Sequence, residues 1–196
     1  MKLILYFNGW GMVNKVIEHL EKKEEYEIKV LNYPYKVELR EILKYEEIYI
    51  VGWSFGVYYA TMFVKENPNI KYKKKIAING VPETIGNNGI PQKIFDATLK
   101  NLSTKTLEEF YVNMGLEKNE SNVKNIEQLR EELQFFEENY YPLENIYDVA
   151  IIGDEDRIIP SMRQKKYYKK NLVQIKEIQS PHYPFKVLKS WKEILN

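Results

Sequence analysis

The chain has 196 residues, 44% hydrophobic and 29% charged, enough for one compact domain with a substantial core and one modest insertion. Lys and Arg number 29 against 28 Asp and Glu, so a net charge of +1 provides no global attraction for a polyanion such as nucleic acid. The absence of cysteine excludes disulfides, a thiolate nucleophile and Cys-based zinc or iron–sulfur sites.

Lys2–Phe7 (KLILYF) is the first apolar run, too short for a signal-peptide core and interrupted at once by Asn8-Gly9. No later run approaches a membrane span, so the expectation is a soluble, cytoplasmic protein. Lys2–Phe7 reads as a strand and is followed by an amphipathic pattern over Met12–Lys22, a strand at Glu27–Leu31 and a helix over Val37–Tyr45. A strand at Ile48–Val51, a helix over Phe55–Asn67 and a strand at Lys75–Asn79 continue the alternation. Between Val81 and Pro142 the rhythm breaks: no strand-like run occurs, and helical patterns appear near Pro91–Leu102, Thr104–Met114 and Val123–Glu138. Pro91 suits a helix start, and Gly86-Asn87-Asn88-Gly89 marks the turn before it. The alternation then resumes with a strand at Tyr147–Ile152, a helix over Pro160–Lys169, a strand at Val173–Ile178 and a helix over Phe185–Leu195. Six βα units in succession predict a parallel sheet with helices on both faces, and an insertion over about residues 82–145 placed above the carboxyl ends of the strands.

Gly52-Trp53-Ser54-Phe55-Gly56 follows the third predicted strand and opens an apolar helix. That strand–turn–helix context is what the Gly-x-Ser-x-Gly nucleophile elbow of an α/β-hydrolase fold requires, because the sharp turn raises the serine hydroxyl above the sheet. A serine hydroxyl attacks only when a base takes its proton. The sequence has two histidines. His19 lies within the first amphipathic pattern, whereas His182 sits in the stiff loop Ser180-Pro181-His182-Tyr183-Pro184 after the last strand and is the candidate base. The acid should lie between serine and histidine in chain order. Asp154 and Asp156 both occupy the turn after Tyr147–Ile152; Asp156, three residues past Gly153 and shortly before Pro160, is favoured, with Asp154 as the alternative. Oxyanion donors are expected from the backbone N–H groups of Phe55, next after the nucleophile, and of Trp10 in Asn8-Gly9-Trp10-Gly11-Met12. In the insertion, Phe95, Leu99, Phe110, Met114, Phe135 and Phe136 recur at spacings that give helices an apolar stripe, and are candidates to line an acyl channel. The histidines lie far apart and no Gly-rich phosphate loop is present, so the reading requires no metal, nucleotide or other cofactor.

These segments, together with Ala77-Ile78-Asn79-Gly80, Gly89-Ile90-Pro91, Ile94-Phe95, Thr98-Leu99, Ile151-Ile152-Gly153, Asp156-Arg157-Ile158 and Pro181-His182-Tyr183-Pro184-Phe185, resemble the BioG-type pimeloyl-acyl carrier protein methyl ester esterases of biotin synthesis. The resemblance covers most of the chain. It implies a pimeloyl methyl ester carried on acyl carrier protein as substrate, hydrolysed through an acyl-enzyme on Ser54 with methanol as leaving group. The chain departs from many α/β-hydrolases in having Asn8-Gly9 where His-Gly is common. Pro91–Asn145 holds six basic and eleven acidic residues, a net charge of −5, so docking of an acidic carrier falls to local subsets: Lys93, Lys100 and Lys105, or the Lys71–Lys75 run. The rival expectations are a general carboxylesterase for small esters and an inactive hydrolase-fold binding protein.

Overall fold

The strand-forming runs assemble into one parallel sheet in a computed structural model that describes residues 1–117 and 125–196. They are β1 (Lys2–Phe7), β2 (Tyr26–Leu31), β3 (Glu47–Trp53), β4 (Lys74–Ile78), β5 (Val149–Gly153) and β6 (Gln174–Ile178), in the order β2-β1-β3-β4-β5-β6. The inner strands β1, β3 and β5 are buried almost throughout, while the edge strands β2 and β6 alternate with partly exposed positions, as expected when helices cover both faces of the middle of the sheet. The helices are α1 (Leu39–Ile42), α2 (Phe55–Glu66), α3 (Gln92–Lys100), α4 (Thr104–Asn113), α5 (Ile126–Asn139), α6 (Ser161–Lys170) and α7 (Trp191–Leu195).

Period-two alternation divides the sheet residues among three apolar clusters, one of them Ala77, Ala150 and Ile152 with Val57 and Tyr168. Leu3, Leu5, Phe7, Ile48 and Ile50 pack with Ile42, Ala60 and Phe63 on one face. Ile4, Tyr6, Tyr49, Val51, Trp53, Ile76 and Ile78 face the other, with Trp191 and Ile194 of α7. That second core continues into α3, α4 and α5, which fall between β4 and β5 and contribute Phe95, Leu107, Tyr111, Leu133 and Phe136. Local chemistry starts and stops these three helices. Ser103 and Thr106 form a capping box at the start of α4, and Asn125 caps α5 by accepting from the Glu127 N–H. Arg130 of α5 donates to the Leu99 and Leu102 carbonyls, taking up acceptors that the end of α3 leaves unpaired.

Two predicted helices are not formed as read. Over Met12–Lys22 only a 3₁₀ turn at Asn14–Ile17 exists, and Phe185–Leu195 is divided into a 3₁₀ turn at Pro184–Lys186 and the short α7. One pairing explains both. The Glu21 N–H donates to the Lys189 carbonyl at 3.0 Å and the Trp191 N–H to the Glu21 carbonyl at 3.0 Å, which forces extended backbone at both places. The Val16 carbonyl is taken by the Tyr183 hydroxyl at 2.7 Å, so the segment buries Met12, Val16, Ile17 and Leu20 without continuing a helix. Val37–Tyr45 likewise contracts to the single turn of α1. The start of the predicted Val123–Glu138 helix, positions 123 and 124, lies outside the described residues; α5 begins at Ile126.

Candidate active site

The chain runs from β1 to β2 on one side and then crosses to β3 on the other, so the carboxyl ends of β1 and β3 flank the point where the winding reverses. Crevices at such points are the preferred ligand sites of open α/β sheets. Ser54 stands there, between β3 and α2, with φ 57° and ψ −122°, a conformation that costs a non-glycine residue strain. The flanking glycines make the turn possible by close approach. A Cβ on Gly56 would lie 2.0 Å from the Phe7 carbonyl oxygen, and one on Gly52 would lie 2.7 Å from the Val57 Cα.

His182, fully buried, holds its Nε2 2.8 Å from the Ser54 Oγ and its Nδ1 2.8 Å from Asp156 Oδ2. The carboxylate is an acceptor, so Nδ1 carries the proton and Nε2 is left to accept from the serine hydroxyl. The loop bearing the histidine is secured through its backbone: the His182 carbonyl accepts from Trp53 Nε1 at 3.0 Å and from Asn79 Nδ2 at 2.9 Å. Asn79, at the end of β4 with φ 44°, also accepts from the Gly153 N–H at 2.7 Å and so fastens β4, β5 and the histidine loop together. Asp156 Oδ1 accepts from the Ile158 and Ile159 N–H groups at 2.9 and 3.0 Å, and Gln164 Nε2 donates to Oδ2 at 2.9 Å. Asp154 is exposed and turned elsewhere: its Oδ1 accepts from the Ser180 N–H at 3.2 Å. The alternative acid is a turn brace.

Phe55 is the first residue of α2, so its N–H has no intrahelical acceptor; among the described residues neither it nor the Trp10 N–H donates a hydrogen bond. The loop carrying Trp10 is held from three sides. Asn8 Oδ1 accepts from the Gly9 N–H at 3.0 Å and from the Tyr6 hydroxyl at 3.3 Å, while Tyr35 donates to the Asn8 carbonyl at 2.8 Å. Burial pushes the Tyr6 and Tyr35 hydroxyls well above the usual tyrosine range, so both remain donors. Asn8 thus supports the loop where many hydrolases use histidine. From the inserted helices, Leu129 accepts from Trp10 Nε1 at 3.2 Å and the Tyr111 hydroxyl donates to the Gly11 carbonyl at 3.0 Å.

A cavity of about 520 Å³ is bounded by Trp10 and Phe55 at the elbow, by Phe95, Leu102 and Phe110 of the inserted segment, and by Arg157 and Ile158 beside Asp156. Its volume lies in the roughly 300–1,000 Å³ range of small-ligand sites. Of the six aliphatic and aromatic candidates, Phe95 and Phe110 line it; Leu99, Met114, Phe135 and Phe136 do not. Phe135 is 50% exposed and meets Tyr33 edge-on, Phe136 packs against Phe55 and Tyr58, and buried Met114 accepts the Tyr183 N–H through its carbonyl. An i, i+3, i+4 stripe identifies the buried face of each helix, but which residues border empty space depends on how the helices meet. Ile90, Thr98, Asn101 and Thr106 complete much of the lining and carry no apolar periodicity to mark them. Tyr111 and Gln164 carry no such signal, since a buried amide or hydroxyl has no pattern of its own, and the Ala77-Ile78-Asn79-Gly80 segment marks the family resemblance without showing what Asn79 bonds. The Lys71–Lys75 run leads into the amino end of β4, on the edge of the parallel sheet opposite Ser54, where Lys73 pairs with Glu47 and Lys75 with Asp148. Lys93, Lys100 and Lys105 are exposed on the inserted segment.

Similarity to known proteins identifies the family and the fold. A family model described as pimeloyl-ACP methyl esterase BioG matches residues 1–194. A malonyl-[acyl-carrier protein] O-methyltransferase of Bacteroides fragilis is 32% identical over 201 residues, 95% of this chain and 40% of that protein. An uncharacterized protein of Haemophilus influenzae is 34% identical over 112 residues, 55% of this chain and 50% of its own length. The chain therefore spans half or less of the length of these curated relatives. Among solved structures, BioG from Haemophilus influenzae superimposes with a TM-score of 0.88 at 25% identity, covering 100% of this chain and 95% of that one. An esterase from Exiguobacterium antarcticum superimposes with a TM-score of 0.71 at 14% identity, covering 94% of this chain and 86% of that one, a likeness of fold. With a full-length family match, a six-stranded parallel sheet and a serine elbow at its reversal point, the chain belongs to the pimeloyl-ACP methyl esterase BioG family and has the α/β-hydrolase fold.

Proposed function

We propose that the protein is a serine esterase that hydrolyses the methyl ester of pimeloyl-acyl carrier protein, using Ser54 as nucleophile, His182 as base and Asp156 as the group that orients it. The observation that carries this reading is the hydrogen-bonded chain from Ser54 through His182 to Asp156, both links 2.8 Å long, in a member of this family. His182 Nε2 takes the Ser54 proton as Oγ adds to the ester carbonyl, and the oxyanion accepts from the Trp10 and Phe55 N–H groups. Collapse breaks the bond to methoxide, which leaves as methanol with the proton from His182. A water molecule, deprotonated by the same nitrogen, then attacks the acyl-enzyme and releases the free carboxylate and Ser54.

The acyl chain has a place to lie in the cavity between the elbow and Phe95, Leu102 and Phe110. The carrier-linked end would exit on the side of the inserted segment, where Lys93, Lys100 and Lys105 offer exposed positive charge to an acidic carrier. An O-methyltransferase, the named activity of the Bacteroides fragilis relative, makes the kind of bond that this chemistry breaks. No helix among the described residues is long and apolar enough to cross a membrane, and the proposed setting is the cytoplasm, in biotin synthesis. The test is to incubate the purified protein with pimeloyl methyl ester, free and carrier-linked, and weigh the products. Loss of 14 mass units per ester from the carrier-linked substrate, about the mass of one methylene, is expected, and faster than from the free ester. Equal rates on both would make the protein a general esterase, and no hydrolysis of either would overturn the reading.

A further inference from the structure

We propose that Gln164 is a positioning residue of the triad, holding the Asp156 carboxylate in the orientation in which Oδ2 meets the His182 ring; the inference rests on the triad reading above. Gln164 lies on α6, fully buried, and its Nε2 donates both to Asp156 Oδ2 at 2.9 Å and to the Ile159 carbonyl at 2.6 Å. Its Oε1, also buried, has no hydrogen-bond partner among the described residues. A flipped amide would set Oε1 against two acceptors, so the orientation follows from the neighbours. A side chain serving only to fill space would do better as Met or Leu, because a buried amide oxygen without a donor is destabilising. What the amide contributes is the pair of Nε2 hydrogen bonds, to Asp156 Oδ2 and to the Ile159 carbonyl.

With Gln164 in place the 5%-exposed Asp156 accepts four N–H bonds: Ile158 and Ile159 at Oδ1, His182 and Gln164 at Oδ2. Every lone-pair site of the carboxylate is occupied. Donors to an ionised carboxylate favour its charged form and reduce its basicity toward its remaining partner. Removing Gln164 Nε2 would leave Oδ2 bonded to His182 alone, strengthen its hold on the imidazolium and free the carboxylate to rotate. The other charged groups near this pair are exposed or spent elsewhere. Asp154, Glu155 and Arg157 of the same turn are exposed, Asp154 bonds the Ser180 N–H, Lys165 of α6 pairs with Glu177, and Glu109 of α4 reaches the shared cavity.

The test is the pH dependence of kcat and of kcat/KM in Gln164→Met and Gln164→Glu enzymes. Gln164→Met should lower kcat on the order of tenfold with KM nearly unchanged, and move the acid limb of kcat/KM upward by about one pH unit, because the base must be neutral to act. Gln164→Glu restores a donor only while its carboxylic acid is protonated, so its activity relative to the parent should fall as pH rises. An acid limb that stays in place in Gln164→Met, or a Gln164→Glu profile parallel to the parent's, would overturn the role. Asp156→Asn separates the two readings: full activity there removes the triad itself, whereas its inactivation beside a parent-like Gln164→Met removes only the part assigned to Gln164.

Discussion

Asp154 and Asp156 stand two positions apart in one turn, and burial divides their work. Asp156 is 5% exposed and meets the His182 ring, while Asp154 is exposed and braces the Ser180 N–H. Asp156→Asn should lower turnover by about 10⁴-fold, since an amide at Oδ2 favours the tautomer with the proton on Nε2 and removes the acceptor that Ser54 needs. Asp154→Asn keeps an acceptor oxygen in the turn and should change turnover less than about threefold, with at most about 1 kcal/mol lost in stability. Steady-state kinetics of both variants decides the matter, and a reversal of the two effects would move the acid to Asp154. Ser54 should also be the one serine modified by a fluorophosphonate, because it combines the strained elbow with the adjacent base. Peptide mapping of the adduct tests this, and labelling of a different serine would displace Ser54 as nucleophile.

The elbow and the inserted segment are elements whose contributions can be separated by substitution. Gly56→Ala would place a methyl group 2.0 Å from the Phe7 carbonyl oxygen, backbone against backbone, where no side-chain rotation relieves the clash. The expected cost is about 3 kcal/mol or more, seen as a lowered melting temperature or loss of folded protein. A parent-like melt would mean that α2 and β1 can move apart. Tyr111 ties α4 to the loop that carries Trp10 through the Gly11 carbonyl, and burial raises its hydroxyl to about 12, so it remains a donor throughout any neutral or mildly alkaline assay. Tyr111→Phe should lower kcat several-fold with little change in KM, because the loop that carries the Trp10 N–H loses one fastening while the cavity keeps its shape. A rise in KM at constant kcat would instead assign Tyr111 to substrate binding.

At the scale of the whole molecule, Ser54, Asp156 and His182 follow strands of the sheet, and the inserted segment bounds the cavity in which the proposed acyl chain would lie. If that cavity contacts methylenes uniformly, each should contribute about 0.8 kcal/mol, so kcat/KM for dicarboxylic methyl esters should climb roughly fourfold per carbon until the cavity is filled. A flat profile would show that Phe95, Leu102 and Phe110 do not select chain length. The sheet, the elbow turn and the residues of the Ser54–His182–Asp156 hydrogen-bonded chain were legible in the sequence, because their signals are local: apolar runs such as Lys2–Phe7 and Ile48–Val51, glycines bracketing Ser54, and the stiff loop around His182. The hydrogen-bonding roles of Asn79, Gln164 and Tyr111 were not, since each bonds to a residue between 8 and 103 positions away, and only folding brings the two together. The same reason governs the broken helices at Met12–Lys22 and Phe185–Leu195. Their hydrophobic periodicity correctly names the side chains that are buried, but the backbone groups a helix would use are claimed by pairing of Glu21 with Lys189 and Trp191. Periodicity in a sequence reports which side chains leave water; which backbone partner wins, and where a cavity remains between helices, is decided by packing between distant segments.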